Sequence, residues 1–249
     1  MSVLDVTLVV CTCKRLDYFR RTIASLRANL LDLSAVAHRW IIDDNSSSQD
    51  RLRMSAESPD FEFTFKEPEN AGHGRSLNLL LRNVPTTYAL YWEDDSVLRT
   101  SGQWLRQAVE LLSADEGLLS VSFDRSIEND RRCRRRRDWA RRELPVPHLR
   151  SLPLAYDSYV DSRSFNYTSD PWPGFSLKPN LFHVHRALAT IGLFDETNKD
   201  HMEYDYALRA VAAGMHTAIL IGPVVEDIGG DNSAYVLNGF TRSYDTGVA

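Results

Sequence analysis

Residues Val6 to Cys11 form a run that is apolar at nearly every position and rich in β-branched side chains. A strand with one wet face alternates apolar and polar residues. A strand without that alternation is covered on both faces, as in a parallel sheet sandwiched between helices. The next segments keep that promise. Leu16 to Leu31 places Phe19, Ile23, Leu26 and Leu30 on one helical face. Arg39 to Ile42 is a second short strand, Phe61 to Phe65 a third and Tyr88 to Trp92 a fourth. Gly72 to Arg82, with Leu77, Leu80 and Leu81 inward, and Gln103 to Leu112 are helices. The order β-α-β-α-β-α-β-α predicts an α/β fold with a mostly parallel sheet flanked by helices.

In such sheets ligands sit beyond the carboxyl ends of the strands. Three ends carry polar chemistry: Thr12-Cys13-Lys14-Arg15, Asp43-Asp44-Asn45-Ser46 and Glu93-Asp94-Asp95. Consecutive carboxylates past a buried strand repel one another unless a cation or hydrogen-bond donors compensate. Oxygen ligands of this kind suit Mg²⁺ or Mn²⁺, which commonly link protein carboxylates to substrate phosphates. The plain alternatives are an acidic turn at Glu93 to Asp95 and a turn with a helix cap at Asp43 and Asp44.

The second half is less regular. A basic run, Arg131 to Arg142, precedes a Pro- and Tyr-rich stretch reaching Pro173. Helical spacing returns at His185 to Ile191 and Tyr204 to Ala213, and Thr217 to Ile221 is a last strand. The basic run is either a solvated loop or a weak contact for an anionic partner such as a membrane surface. A net charge of −5 argues against nucleic acid as a partner. Cys11, Cys13 and Cys133 make no disulfide framework, and Cys11 and Cys13 read as small core residues. The N-terminal segment lacks a basic region and no apolar run spans a bilayer, so the expected setting is cytoplasmic.

Taken in order, Thr12 to Arg15, Ile42-Asp43-Asp44-Asn45-Ser46, Asn70-Ala71-Gly72 and Glu93-Asp94-Asp95 resemble the GT-A fold glycosyltransferases, especially family 2, over residues 6 to 97. The resemblance implies a Rossmann-like mixed sheet in a single domain, 1–249. Its nucleotide-sugar half would be 1–100, and its irregular, acceptor-binding half 101–249. It further implies a hexosyltransferase that moves a sugar from a nucleoside diphosphate, most often UDP, to a carbohydrate or glycoconjugate hydroxyl, with Mn²⁺ or Mg²⁺ and inversion. Carried over position by position, Thr12 lines the nucleoside pocket and Asp44 or Asp43 accepts from the base. Gly72 allows close backbone approach, and Lys14, Arg15 or Arg75 offsets phosphate charge. Glu93-Asp94-Asp95 matches the DXD-type motif, with Asp95 on the metal, Asp94 on ribose or sugar, and Glu93 in support.

Three further segments extend the resemblance. Met202-Glu203-Tyr204-Asp205 with Arg209 is similar to the family's acidic helix start; Glu203 falls on the catalytic base, Asp205 is second choice, and Met202 replaces an acid. Trp172 and Gly174 match an acceptor-binding segment, and Asp227 stands where a metal-binding His is usual. Two rivals remain. A sugar-phosphate nucleotidyltransferase would carry a Gly-rich loop after the first strand, and Cys11 to Arg15 has no glycine. A non-catalytic nucleotide-sugar-binding module would keep the pocket without turnover, and Met202 favours that reading.

Overall fold

The computed structural model describes residues 2–123, 140–142, 154–156, 175–198, 201–220, 222–230 and 234–237. Strands β1 (Leu4–Thr12), β2 (Val36–Asp44), β3 (Glu62–Lys66) and β4 (Tyr88–Glu93) alternate with helices α1 (Leu16–Asn29), α2 (Ser48–Glu57) and α3 (His73–Asn83). Next come β5 (Ser96–Leu98), α4 (Trp104–Ala114), β6 (Leu118–Ser122), β7 (Ala140–Arg142), β8 (Leu154–Tyr156) and β9 (Asn180–His183). The described chain ends with α5 (Val184–Thr190), α6 (Met202–Ala212), β10 (His216–Ile219), β11 (Val225–Asp227) and α7 (Ala234–Leu237). No helix among the described residues is long and apolar enough to cross a membrane.

The main sheet runs β3-β2-β1-β4-β9-β6-β10-β8-β7. Its first four strands are all parallel, as the unbroken apolar run at β1 requires. Alternate side chains of that run feed two cores. Val6, Leu8 and Val10 point to a cluster shared with Phe19, Ile23 and Leu26 of α1, while Val9 packs with Leu77, Leu80 and Leu81 of α3. Strands β9 and β6 escaped the sequence reading. Asn180–His183 is too short to show a period, and Ser120 and Ser122 make β6 look half exposed. Both serines are buried; the Ser120 hydroxyl meets that of Thr217 on β10 at 3.0 Å.

The topology fixes where a ligand can sit. The chain builds outward from β1 to β2 to β3, then returns to the opposite side of β1 as β4. Helices α1 and α3 leave on opposite faces, so a crevice opens at the carboxyl ends of β1 and β4. The Asp94 amide donates to the Cys11 carbonyl at 3.1 Å and keeps those two ends together. A small ribbon then imports a distant residue. β5 pairs antiparallel with β11, Asp227 lies opposite Ser96, and the Ile228 amide donates to the Asp95 carbonyl at 2.8 Å.

A second long-range tie places α6. Asn78, buried on α3, accepts from the Phe194 amide at 2.8 Å and donates to the Phe194 carbonyl at 3.0 Å and to Glu196 Oε1 at 2.8 Å. The Phe194 ring stacks on Tyr206 of α6, with centroids 3.9 Å apart. Replacing Asn78 with Ala strands a buried amide and a buried carbonyl, so Asn78→Ala should cost about 2 kcal/mol of unfolding free energy. Urea denaturation checks this, and an unchanged midpoint would remove Asn78 as the anchor of the segment before α6.

Candidate active site

The ends of β1 and β2 turn sharply into the crevice. Lys14 and Asn45 both take positive φ, 55° and 68°, rare for residues with a side chain. The Lys14 amide donates to Ser46 Oγ at 2.8 Å, so the two turns brace each other. Such strain persists only where neighbours over-determine it, and it gathers at functional sites. Ser47 caps α2 by accepting from the Asp50 amide at 3.1 Å.

Asp94 is fully buried at the end of β4. Its carboxylate accepts from Thr12 Oγ1 at 2.8 Å, from the Cys13 amide at 3.1 Å and from one arm of Arg15. The other arm of Arg15 donates to Asp95 Oδ2 at 2.7 Å. One guanidinium, itself only 8% exposed, therefore spans two adjacent carboxylates. Burial still pushes the Asp94 carboxyl up to about 6, because the Arg15 charge and these donors only partly offset it. Glu93 is pushed up to about 8 by burial and then by the charge of Asp95.

Alternation along β4 sends Tyr91 and Glu93 to the α3 face. The Tyr91 hydroxyl donates to Glu93 Oε1 at 3.2 Å and lies 2.6 Å from His73 Nε2. Desolvation at the cavity wall lowers the His73 pKa, so its imidazole is neutral at pH 7. This trio went unnoticed in the sequence. No sequence pattern links position 73 to β4, and only the packing of α3 brings them together.

At the β2 end the two aspartates part company. The Asp44 carboxylate accepts from the Gly72 amide at 3.0 Å and pairs with Lys66 Nζ at 3.0 Å. Gly72 has φ 129°, which favours glycine, and open space where a Cβ would stand. Asp43 turns away, accepting from the Ser46 amide at 3.1 Å and pairing with Arg51 at 2.8 Å. Asp44 lines the crevice and Asp43 does not.

Glu203 stands in the first turn of α6. Its Oε1 accepts from the Leu177 amide at 2.6 Å and Ser176 Oγ at 2.8 Å. Burial raises its pKa in spite of these donors. It lies near enough to Glu93 for the two charges to repel. Asp205 is engaged elsewhere, pairing with Arg209 one turn along at 2.9 Å. Lys178, absent from the sequence reading, pairs with Asp227 at 2.7 Å. A cavity of about 510 Å³ at the strand ends is lined by Thr12, Lys14, Arg15, Asp44, Gly72, Arg75, Glu93 and Met202; Asp94, Asp95, Glu203 and Asp227 are not among its lining residues. Arg75 lies 3.5 Å from Glu196. Cys11 faces this cavity rather than the core alone. Trp172, Gly174, Cys133 and positions 131–139 of the basic run lie outside the described residues.

Among the described residues no three His, Cys, Asp or Glu side chains group as a metal cage. Two carboxylates do converge: a Cβ placed on Gly229 would meet Asp95 Oδ2 at 2.5 Å and Asp227 Oδ1 at 3.2 Å. Mg²⁺ is commonly held by one or two carboxylates plus substrate phosphates, so this glycine-lined pair fits such an ion.

Comparison with known proteins decides the family. A model of glycosyl transferase family 2 matches residues 7–173. The chain belongs to glycosyl transferase family 2. No curated protein matches it significantly in sequence. Its fold is that of solved GT-A glycosyltransferases. TarS 1–349 of S. aureus is 13% identical, with TM-score 0.57, over 89% of this chain and 60% of that one. The mannosyltransferase PcManGT of Pyrobaculum calidifontis, solved with GDP-Man and Mn²⁺, is 17% identical, with TM-score 0.57, over 95% and 60%. GalNAc-T7, solved with UDP, GalNAc and Mn²⁺, is 11% identical, with TM-score 0.57, over 88% and 43%. The family 2 chain described here thus spans about 60% of the length of the first two structures it matches.

The guanidinium bridge gives a stability test. Removing one partner of a buried ion pair leaves an uncompensated charge and costs about 3 to 5 kcal/mol. Arg15→Met should lower unfolding free energy by about 3 kcal/mol near pH 7. Arg20→Met, which breaks the half-exposed pair with Glu57, should leave the urea midpoint almost unmoved. Equal effects of the two substitutions would refute the bridge.

Proposed function

We propose that this chain transfers a hexosyl group from a uridine diphosphate sugar to the hydroxyl of a carbohydrate or glycoconjugate acceptor, with inversion. The observation that carries this reading is the Arg15-bridged pair of Asp94 and Asp95 at the end of β4 together with the part-buried carboxylate of Glu203, whose charge acts on Glu93 of the same strand. One side is built for a diphosphate, the other for an acceptor proton. Residues 1–100 supply the donor half and 101–249 the acceptor half, including Trp172 and Gly174.

In this mechanism Thr12 and Asp44 flank the nucleoside, with Asp44 accepting from the uracil while Asp43 holds the turn. Asp94 contacts the ribose or sugar. Asp95 and Asp227 are the residues that would hold Mn²⁺ or Mg²⁺, which when bound supplies positive charge to the departing diphosphate. Lys14, Arg15 and Arg75 share that task by placing positive charge beside the phosphates. Glu203 takes the proton of the acceptor hydroxyl as its oxygen attacks the anomeric carbon. Its raised pKa makes it a stronger base than an ordinary glutamate, and Asp205, tied to Arg209, only supports the helix.

A thermal-shift panel of nucleotide sugars with and without Mn²⁺ tests the reading. A ligand at about 100 times its Kd adds about 2.7 kcal/mol, a shift of several degrees. UDP-sugars with Mn²⁺ should give that shift, and Asp95→Asn should abolish its metal-dependent part. Turnover should release UDP; release of pyrophosphate, or binding without any transfer or donor hydrolysis, would overturn the proposal.

Glu203→Gln should lower kcat by about 10²-fold or more. A base works only when deprotonated, so turnover should fall as pH drops through the raised Glu203 pKa, above the usual glutamate range. An acid limb that persists in Glu203→Gln would assign it to another group.

A further inference from the structure

The turn that leads into β9 holds Glu203 by one oxygen. Oε1 accepts from the Leu177 amide at 2.6 Å and from Ser176 Oγ at 2.8 Å. Among the described residues no hydrogen bond engages Oε2, and that oxygen is not sealed from solvent. An ionised carboxylate can accept and cannot donate. In the form that takes a proton, both contacts are therefore donations to Oε1. The Ser176 hydroxyl spends its single proton there, while its oxygen accepts from the Lys178 amide at 3.1 Å. Oε2 is the oxygen left for an incoming proton.

The turn itself is pinned from three sides. Asn180, buried on β9, donates from Nδ2 to the Ser176 and Lys178 carbonyls at 2.5 and 2.9 Å. The Phe123 amide, just past β6, donates to the Pro179 carbonyl at 2.8 Å. Lys178 Nζ pairs with Asp227 of β11 at 2.7 Å. Donors held this firmly fix the direction of the side chain they bind. We infer that, on the transferase reading above, Ser176 is a positioning residue for the base: with the Leu177 amide it holds Oε1 of Glu203, so that the acceptor hydroxyl gives its proton to Oε2. The acceptor O–H bond breaks and its oxygen bonds to the anomeric carbon. The proton stays on Oε2, and the diphosphate leaves with the electron pair of the broken C–O bond.

The charges that act on Glu203 are Lys178 of the same turn and Glu93 of β4. Burial and the Glu93 charge disfavour the ionised carboxylate; the Leu177 amide, the Ser176 hydroxyl and Lys178 favour it. Removing the hydroxyl therefore raises the Glu203 pKa, and turnover that needs the ionised base moves to higher pH. Carbon-13 NMR of glutamate-labelled protein follows this carboxyl directly, its signal assigned by its loss in Glu203→Gln. Ser176→Ala should raise the titration midpoint by about one pH unit, a tenfold change in ionisation, as expected for one hydrogen bond to a charged group. Ser176→Cys, nearly the same size and a weaker donor, should move it part of the way. Ser176→Thr, which keeps the hydroxyl, should return it close to the wild type. The acid limb of UDP release from the UDP-hexoses of the thermal panel should shift with the midpoint, while the Kd for UDP stays unchanged.

A midpoint that stays or falls in Ser176→Ala and Ser176→Cys, with the urea midpoint retained, overturns this inference alone. A Kd for UDP that weakens in step with kcat also overturns it, because the turn then shapes the donor pocket. No UDP release from any donor by the wild type overturns the transferase reading and the role of Oε2 together.

Discussion

The buried carboxylate of Asp94 sets the terms for everything near it. A charge with no exposure at the end of β4 must be met by donors from other elements. Thr12 and Cys13 come from the end of β1, and Arg15 from the turn that opens α1. These contacts tie β1 to β4 where the strand order reverses. Arg15 extends the arrangement to Asp95, beside which Asp227 and Gly229 approach. Stability and site geometry thus rest on the same guanidinium.

The crevice is a row of strand ends, each with a different chemistry. At β2 the acid is neutralised by Lys66 and a backbone amide; at β1 and β4 it is neutralised by Arg15; toward β9 and α6 it is left with a raised affinity for protons. The gradient has a physical origin. Asp44 has a lysine beside it, whereas Glu93 is desolvated by burial and feels the charges of Asp95 and Glu203, which Lys178 and Arg15 offset only in part. A ligand with a neutral ring at one end, a diphosphate in the middle and a reacting carbon at the other matches that order.

Much of this was legible in the residues. The apolar run at β1, the polar turns after β1, β2 and β4, and the helical spacing of Leu77, Leu80 and Leu81 are local patterns, and local patterns survive in sequence. A mostly parallel sheet follows from them, and the GT-A family from the likeness of those polar turns taken in order; the strand order β3-β2-β1-β4 does not. What stayed hidden depends on contacts across the chain. Nothing near Asp43 and Asp44 says which one Arg51 will claim. His73 and Tyr91 meet only because α3 lies across the α3 face of β4, and Lys178 meets Asp227 only through the ribbon at β11. β9 was missed because four residues carry no period, and β6 because its buried serines find hydroxyl partners.

The β5–β11 ribbon also sets an order of assembly. Asp95 is made in the first half of the chain, but the segment that brings Asp227 and Gly229 to it emerges from the ribosome after more than half the chain has followed. The parallel strands β1 to β4 are all made long before that acidic pair can close. A nascent chain therefore passes through a stage in which the strand-end crevice exists while Asp95 still lacks its neighbour on β11.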